Sequence, residues 1–425
     1  MKYLLAVSLL ILLKLCPNPY GSDKAEFVEF YCDSNCMLSN GKSVVYATKG
    51  YHIATKNKTV FYKHFGKNAD IEFPGNFSLV NRGCEICLID NSRDCFYYGR
   101  DIEFLDEGVV YYKTENGWDF RYEDWSDFKP VSDFVVGRII VTPCNYTANG
   151  ILASSRNWNV KELYVDARAS VPCKIKNVYF LKSKSYKRFH YSFAVDGDKV
   201  AIATENWRFT GKGYIVEFKS EKIAKTLLAL IKNDRKYKVM KQSKCKFFKK
   251  VKTSNSCKSL QFRSNVTLFV LPDENPVFDF ISSAKNRLYI EVPYIKFNWY
   301  KNPSPLLESI KTAKENGADV LIVLDSRYSK DDKVLKKLRD IGAKVRFLKD
   351  IHGKAVVSDD RVLITSANFD LNGLKLNREI ALIIKDKDVA DFVANNIKRE
   401  FNPIFALPSV FIFTITLFLL IMFRR

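Results

Sequence analysis

The feature that most constrains this chain is an imperfect internal repeat. His352 lies sixteen residues before Asn368 in "IHGKAVVSDDRVLITSANF", and His190 lies sixteen before Asn206 in "FHYSFAVDGDKVAIATENW" (368−352 and 206−190). Thr204 in the first copy answers Ser366 in the second. Upstream, "RIIVTP" from Arg138 to Pro143 echoes "TLFVLPDENP" from Thr267 to Pro276, each an apolar strand running into a proline turn. The chain has four histidines in 425 residues, and two of them hold equivalent places. The pattern implies two similar structural units.

The second copy alternates strands and helices. "NRLYIEVPYI", "DVLIVLD" and "KVRFL" read as strands. "SPLLESIKTAKENGA" reads as a helix opened by Ser304 and Pro305 and closed by Gly317, and "DDKVLKKLRDIGA" as one ending at Gly342. "KAVVS" and "RVLIT" read as two short buried strands around an Asp-Asp turn, which puts His352 and Lys354 on one face of a strand. The result is a mixed or parallel α/β sheet with helices on its faces. The first copy is shorter: Pro143 to His190 spans 47 residues and Pro272 to His352 spans 80 (190−143 and 352−272), so it is expected to lack about one strand and helix.

The residue types of the second copy suit phosphodiester chemistry. Imidazole can attack phosphorus near neutral pH. An ammonium, a hydroxyl and a carboxamide can hold the charge that develops on the phosphoryl oxygens. The order His352-x-Lys354-x4-Asp359, followed by Ser366-x-Asn368 and then Asn377 and Glu379, resembles the signature of the phospholipase D superfamily. That resemblance implies His352 as the nucleophile or its acid partner, Lys354 and Asn368 as the phosphate grip and Ser366 as an assistant. Asp359 and Glu379 would be supporting carboxylates. His190 and Asn206 would come from the first copy, which departs from the family at two places: Ser192 stands where Lys is expected, and Gly197 matches Asp359. The expected intermediate is a phosphohistidine on His352, with His190 as acid and base. No cofactor or metal is expected, since Lys and Asn supply the electrostatics.

The ends of the chain read as membrane signals. Residues 1–15 carry an apolar run from Tyr3 to Leu13, which suits a signal peptide or N-terminal membrane segment. Residues 404–423 are twenty without a charge, enough for one transmembrane helix at about 1.5 Å per residue. Arg424 and Arg425 then stay cytoplasmic, and the bulk of the chain lies outside the cell membrane. Residues 12–105 read as short strands between Gly, Asn and Asp turns. Their turn-rich order "PNPYGSD", then "EFVEF", "LSNGK" and "YYGRD" resembles a lamin-tail domain, which implies an immunoglobulin-like sandwich. His52 and His64 lie in this module and read as surface or loop residues. Residues 106–131 read as a strand-poor linker.

Charge and cysteine usage bound the setting. Net charge is +21, and Lys232 to Lys258 holds eleven Lys or Arg against one acid, Asp234. This basic connector, residues 236–262, lies between copy one (132–235) and copy two (263–402), and would attract polyanions or anionic headgroups. Ten cysteines in an exported chain point to disulfides, with Cys87 and Cys95 flanking a hairpin-like turn. The rival is zinc held by Cys32, Cys36, Cys84 and Cys87. Sequons at Asn57, Asn76, Asn145 and Asn265 fit external glycosylation.

The expected architecture is multidomain: an all-β sandwich, an α/β pseudo-dimer of two repeats and a transmembrane helix. The expected function is a membrane-anchored phosphodiesterase acting on phospholipid or nucleic acid. The alternative is a non-catalytic envelope or polyanion-binding protein with a decayed site. A homodimer pairing two second copies would be a third arrangement.

Overall fold

The computed structural model describes residues 10–115, 117–153, 160–171, 177–207, 211–240, 257–301, 303–328 and 332–401. The chain forms two compact units, one running to Ser126 and taking in Tyr300, the other made of the remainder.

The first unit has two sheets. One has the order β10 (Gly117–Tyr122), β9 (Val109–Thr114), β1 (Leu10–Cys16), β2 (Phe27–Cys32), β5 (Gly50–Thr55), β6 (Ile71–Glu72). The other has the order β4 (Val44–Ala47), β3 (Cys36–Ser39), β7 (Cys84–Ile89), β8 (Arg93–Tyr98). Rings join them: Phe96 of β8 stacks on Trp118 of β10 with centroids 4.1 Å apart. Helix α1 (Lys58–Phe65) replaces a strand expected in "KTVFYKHF". Asn57 caps it by accepting from the Val60 amide at 2.9 Å, and Phe61 packs edge-on against Phe27 at 5.3 Å.

Three expectations change in this unit. Residues 106–131 are not a strand-poor linker, because β9 and β10 pair as a hairpin within them. The end of the stretch read as a signal or membrane segment is β1, a strand paired on both sides, while residues 1–9 lie outside the described residues. The zinc quartet does not assemble: Cys32 is bonded to Cys36 and Cys87 to Cys95, while Cys84 lies 3.1 Å from the Tyr98 hydroxyl. His52 lies in β5 and His64 in α1, each partly exposed and bonded to a carboxylate, Asp70 and Glu123.

The second unit is built on one fifteen-stranded sheet that shows the repeat directly. The first copy supplies β11 (Val131–Thr142), β12 (Ile151–Ala153), β13 (Glu162–Asp166), β14 (Val178–Leu181), β15 (Phe193–Asp196), β16 (Lys199–Ala203) and β17 (Gly213–Lys219). Its helix is α2 (Glu221–Asp234), and β18 (Lys238–Val239) pairs at the sheet edge with β14. The second copy supplies β19 (Lys258–Leu271), β20 (Arg287–Val292), β21 (Asp319–Asp325), β22 (Lys344–Leu348), β23 (Ala355–Ser358), β24 (Arg361–Thr365), β25 (Glu379–Ile384) and helix α6 (Lys387–Phe401). Spatial order is β14-β13-β12-β15-β16-β17-β11 and then β19-β25-β24-β23-β20-β21-β22. The halves mirror each other across the long antiparallel pair β11–β19.

All seven strands therefore recur, which corrects the missing strand expected in the first copy. The difference in length lies in the connections. The second copy inserts α3 (Val277–Ser282), α4 (Pro305–Glu315) and α5 (Asp332–Asp340) between β19 and β22. Among the described residues, the matching connections of the first copy carry no helix. The strands of the second copy form where the apolar runs place them, and α4 and α5 end at Gly317 and Gly342, both with positive φ. Both faces of β23 and β24 are buried, as apolar runs without alternation require. A disulfide from Cys144 to Cys257 ties the end of β11 to the start of β19. Residues 241–256 of the basic connector and the span 404–423 lie outside the described residues. No described helix is long and apolar enough to cross a membrane.

Candidate active site between the two copies

Each histidine is carried by one copy and held by the other. His190 and His352 do not lie within the sheet ladder; both sit on extended lead-ins to β15 and β23, which refines the expectation that His352 and Lys354 share a strand face. The His190 amide donates to the Arg378 carbonyl at 2.9 Å, and the Arg378 amide to the Arg188 carbonyl at 2.8 Å. Reciprocally, the His352 amide donates to Lys212 at 2.8 Å and the Lys212 amide to Asp350 at 2.7 Å. Gly211 is needed at that crossing, because a Cβ there would meet the Asp350 carbonyl at 2.6 Å.

The side chains complete a buried polar cluster. Glu379, fully buried at the start of β25, receives three groups. His190 Nδ1 lies 2.7 Å from its Oε1, Asn377 Nδ2 donates to Oε1 at 3.1 Å, and Ser366 Oγ donates to Oε2 at 2.6 Å. Lys354, also fully buried, aims its three donors at the Thr204 carbonyl (2.7 Å), the His352 carbonyl (3.2 Å) and His352 Nδ1 (3.3 Å). Burial pulls the Lys354 ammonium down to about 8, against the charges of Glu379 and Glu205. His352 is pushed down to about 2, first by the Lys354 charge, then by burial, His190 and Arg327. It is therefore neutral at physiological pH. Asn206 and Asn368, two residues beyond Thr204 and Ser366, are half-buried beside these groups in sequence.

The first half-site differs in kind. Buried Ser192 occupies the place of Lys354 and donates its hydroxyl to the Glu205 carbonyl. Gly213 occupies the place of Glu379, so among the described residues His352 has no counterpart of the His190–Glu379 pair. Glu205 fills the space instead: its Oε1 would lie 3.0 Å from a Cβ on Gly213, and Thr142 Oγ1 donates to that oxygen at 2.7 Å. On the second copy, buried Glu291 crowds Gly353 in the same way, with Oε1 at 1.9 Å from a Cβ built there. Residue type and spacing carried no signal for Glu205 or Glu291.

Asp359 is not with the cluster. It lies in the turn after β23, at the opposite end of that strand from Lys354, with φ of +53°. Its carboxylate accepts from the amides of Lys285 (3.0 Å), Asn286 (2.8 Å) and Arg287 (3.1 Å). Burial would raise its pKa, and these three amides outweigh it, so the pKa falls below the ordinary value. Gly197 takes the same left-handed turn in the first copy at +63°. Asp359 thus acts on the fold: Asp359→Ala is expected to cost about 2–3 kcal/mol through lost charge-assisted bonds while leaving kcat at permissive temperature within twofold. Urea melts and rates on one preparation check this.

Two further pairs went unread in the sequence. Asp166 Oδ2 accepts from the Phe189 amide at 3.1 Å, and Asp325 Oδ2 from the Ile351 amide at 2.7 Å, so each aspartate holds the residue before a histidine. Arg168 and Arg327 sit on them, with Nε at 3.3 and 2.9 Å. The available signal was an Asp-x-Arg closing an apolar strand in both copies, "VDAR" and "LDSR".

Residues 277–402 match the family described as "Cardiolipin synthase, PLD-like domain". A cardiolipin synthase of Clostridium perfringens is 28% identical over 128 residues, 28% of this chain and 25% of that protein. Cardiolipin synthase A of Buchnera aphidicola is 36% identical over 121 residues, 25% of this chain and 23% of that protein. The chain spans about a quarter of the length of these curated relatives. Among solved structures, phosphatidylserine synthase of Haemophilus influenzae aligns over 60% of this chain and 82% of its own, with a TM-score of 0.42 and 14% identity. Nuc of Salmonella typhimurium, a phospholipase D family member, aligns over 32% and 93%, with a TM-score of 0.29 and 21% identity. The sequence matches support the phospholipase D superfamily for the second copy.

Proposed function

We propose that this chain is a phospholipase D-like phosphodiesterase whose single site is completed within one chain by its two copies. The observation that carries the reading is the His190–Glu379 pair, which joins the copies beside a buried ammonium. With Nδ1–H donated to Glu379, the Nε2 lone pair of His190 is free to attack phosphorus. This favours His190 as the phosphorylated histidine, the reverse of the roles expected from the motif alone. The N–P bond forms as the P–O bond to the leaving alcohol breaks.

The leaving oxygen takes its proton from His352. Since Lys354 donates toward Nδ1, the neutral ring carries its hydrogen on Nε2. Giving that proton up while accepting one from Lys354 at Nδ1 leaves His352 neutral throughout. The ring then holds an Nε2 lone pair that can take a proton from water or an acceptor alcohol, and Lys354 regains its own as the N–P bond breaks. Asn206 and Asn368 would donate to the phosphoryl oxygens.

Rate should then follow the protonated Lys354. That form dominates below about pH 8, so kcat on a bis-aryl phosphate should fall tenfold per unit above that point. A profile still rising at pH 9.5 excludes the relay. Rapid quench and peptide mapping of the alkali-stable adduct should find the phosphoryl group on His190. An adduct on His352 restores the reverse roles, and no turnover in folded protein favours the binding-protein reading, in which Ser192 marks a decayed site.

The finer setting belongs to the same proposal. The first unit would be a lamin-tail-like, immunoglobulin-like sandwich. Residues 404–423 would anchor the chain with its bulk outside the cell membrane, and phospholipid or nucleic acid would be the substrate. The intrachain pairing makes a homodimer unnecessary for the site.

A further inference from the structure

The two sides of the site are alike in backbone and differ in charge two residues before each histidine. Asp350 precedes His352 by two residues, as Arg188 precedes His190 (352−350 and 190−188). On the His352 side, Arg327 is held by Asp325 and meets Asp350 at 3.7 Å, so one guanidinium faces two carboxylates. On the His190 side, Arg168 is held by Asp166 and by the Lys187 carbonyl, and Arg188 stands where the aspartate would be. Arg188 is exposed, with no side-chain hydrogen bond or ion pair among the described residues. A cavity of about 260 Å³ opens there, lined by Arg168, Arg188, Ser170, Asn206, His190 itself and Asp166, whose carboxylate is taken up by Arg168 and the Phe189 amide. Its volume admits a phosphate with its waters, and its lining is mostly polar or charged.

We propose that this cavity binds a second phosphate of the substrate, on the His190 side of the phosphodiester that is cleaved. The inference rests on the phosphodiesterase reading and adds the substrate class: a phosphodiester bearing another phosphate nearby. Arg168 is preorganised for it by Asp166, and Arg188 supplies an unneutralised charge. A nucleic acid strand presents such a phosphate on its neighbouring nucleotide, and a phosphorylated lipid headgroup presents the same chemistry. On the His352 side Asp350 stands in the place of Arg188 and faces Arg327, so the matching position there offers no free guanidinium.

The test uses the full chain and matched substrates. One pair is a dinucleotide with and without a terminal phosphate, tried at either end. The other is phosphatidylglycerol with and without a headgroup phosphate, in mixed micelles. The phosphorylated member of at least one pair should have a kcat/KM about ten- to a hundredfold higher, the range of one or two charge-assisted bonds. Arg188→Gln should bring that ratio near one, and Arg188→Glu should take it below one. Preference in the nucleotide pair alone identifies a strand as the source, and in the lipid pair alone a headgroup. Equal kcat/KM in both pairs, or a preference indifferent to Arg188→Glu, overturns the proposal. Should the wild type turn over no phosphodiester, the function reading fails separately. Titration of His352→Ala with the same pairs then decides the cavity by the affinity ratio.

Discussion

Glu379→Gln is expected to cut turnover of a bis-aryl phosphate by roughly 10³–10⁴, the scale of losing a histidine's tautomer and orientation. The carboxylate does more than pair with His190. Its two oxygens accept from His190, Asn377 and Ser366 at once, and its charge helps keep Lys354 protonated inside the fold. An amide presents one acceptor and one donor, so the substitution must turn an N–H toward Ser366 or toward His190. The ammonium also loses an anion, and the alkaline limb of the pH–rate profile should move to lower pH. Steady-state rates across pH, with thermal melts, separate these effects from unfolding. A loss under tenfold would remove Glu379 from the proposed chemistry.

Arg378→Met is expected to have the largest effect on stability, about 3–5 kcal/mol, because it leaves buried carboxylates without their cation. The guanidinium is fully buried, 3.3 Å from Asp234 of α2 and 2.9 Å from Asp273 beyond β19, two acids that are also inaccessible to water. Phe128 and Tyr186 lie over it at 5.5 and 4.8 Å. Burial raises the Asp234 pKa even with the arginine present. Replacing Asp234 and Asp273 together with Arg378 by apolar residues should recover most of the loss. Denaturant melts of the single and triple variants test both statements, and a single-variant loss below about 1 kcal/mol would contradict the first.

The sequence made the second copy legible because each of its signals is local. Apolar runs, Ser304-Pro305, Gly317 and Gly342 mark elements wherever they occur. The repeat likewise showed in His190 and His352. What escaped reading depends on tertiary position. Asp359 belongs to the motif by spacing, yet a strand separates it from the histidine, and its oxygens serve three amides of another segment. Glu205 and Glu291 matter through the spaces beside Gly213 and Gly353, which no pattern announces. The supposed linker did carry a signal, Asn-Gly at 116–117 between alternating residues, but its aromatic and acidic content masked the hairpin.

The crossing of the two lead-ins has a consequence for synthesis. His190 and the carboxylate that orients it are 189 residues apart, and the ammonium beneath them belongs to the later copy. A chain still emerging presents neither an oriented histidine nor a charged floor, however well its first copy has folded. On the proposed reading, activity arrives only after β25, the last strand of the sheet, has docked.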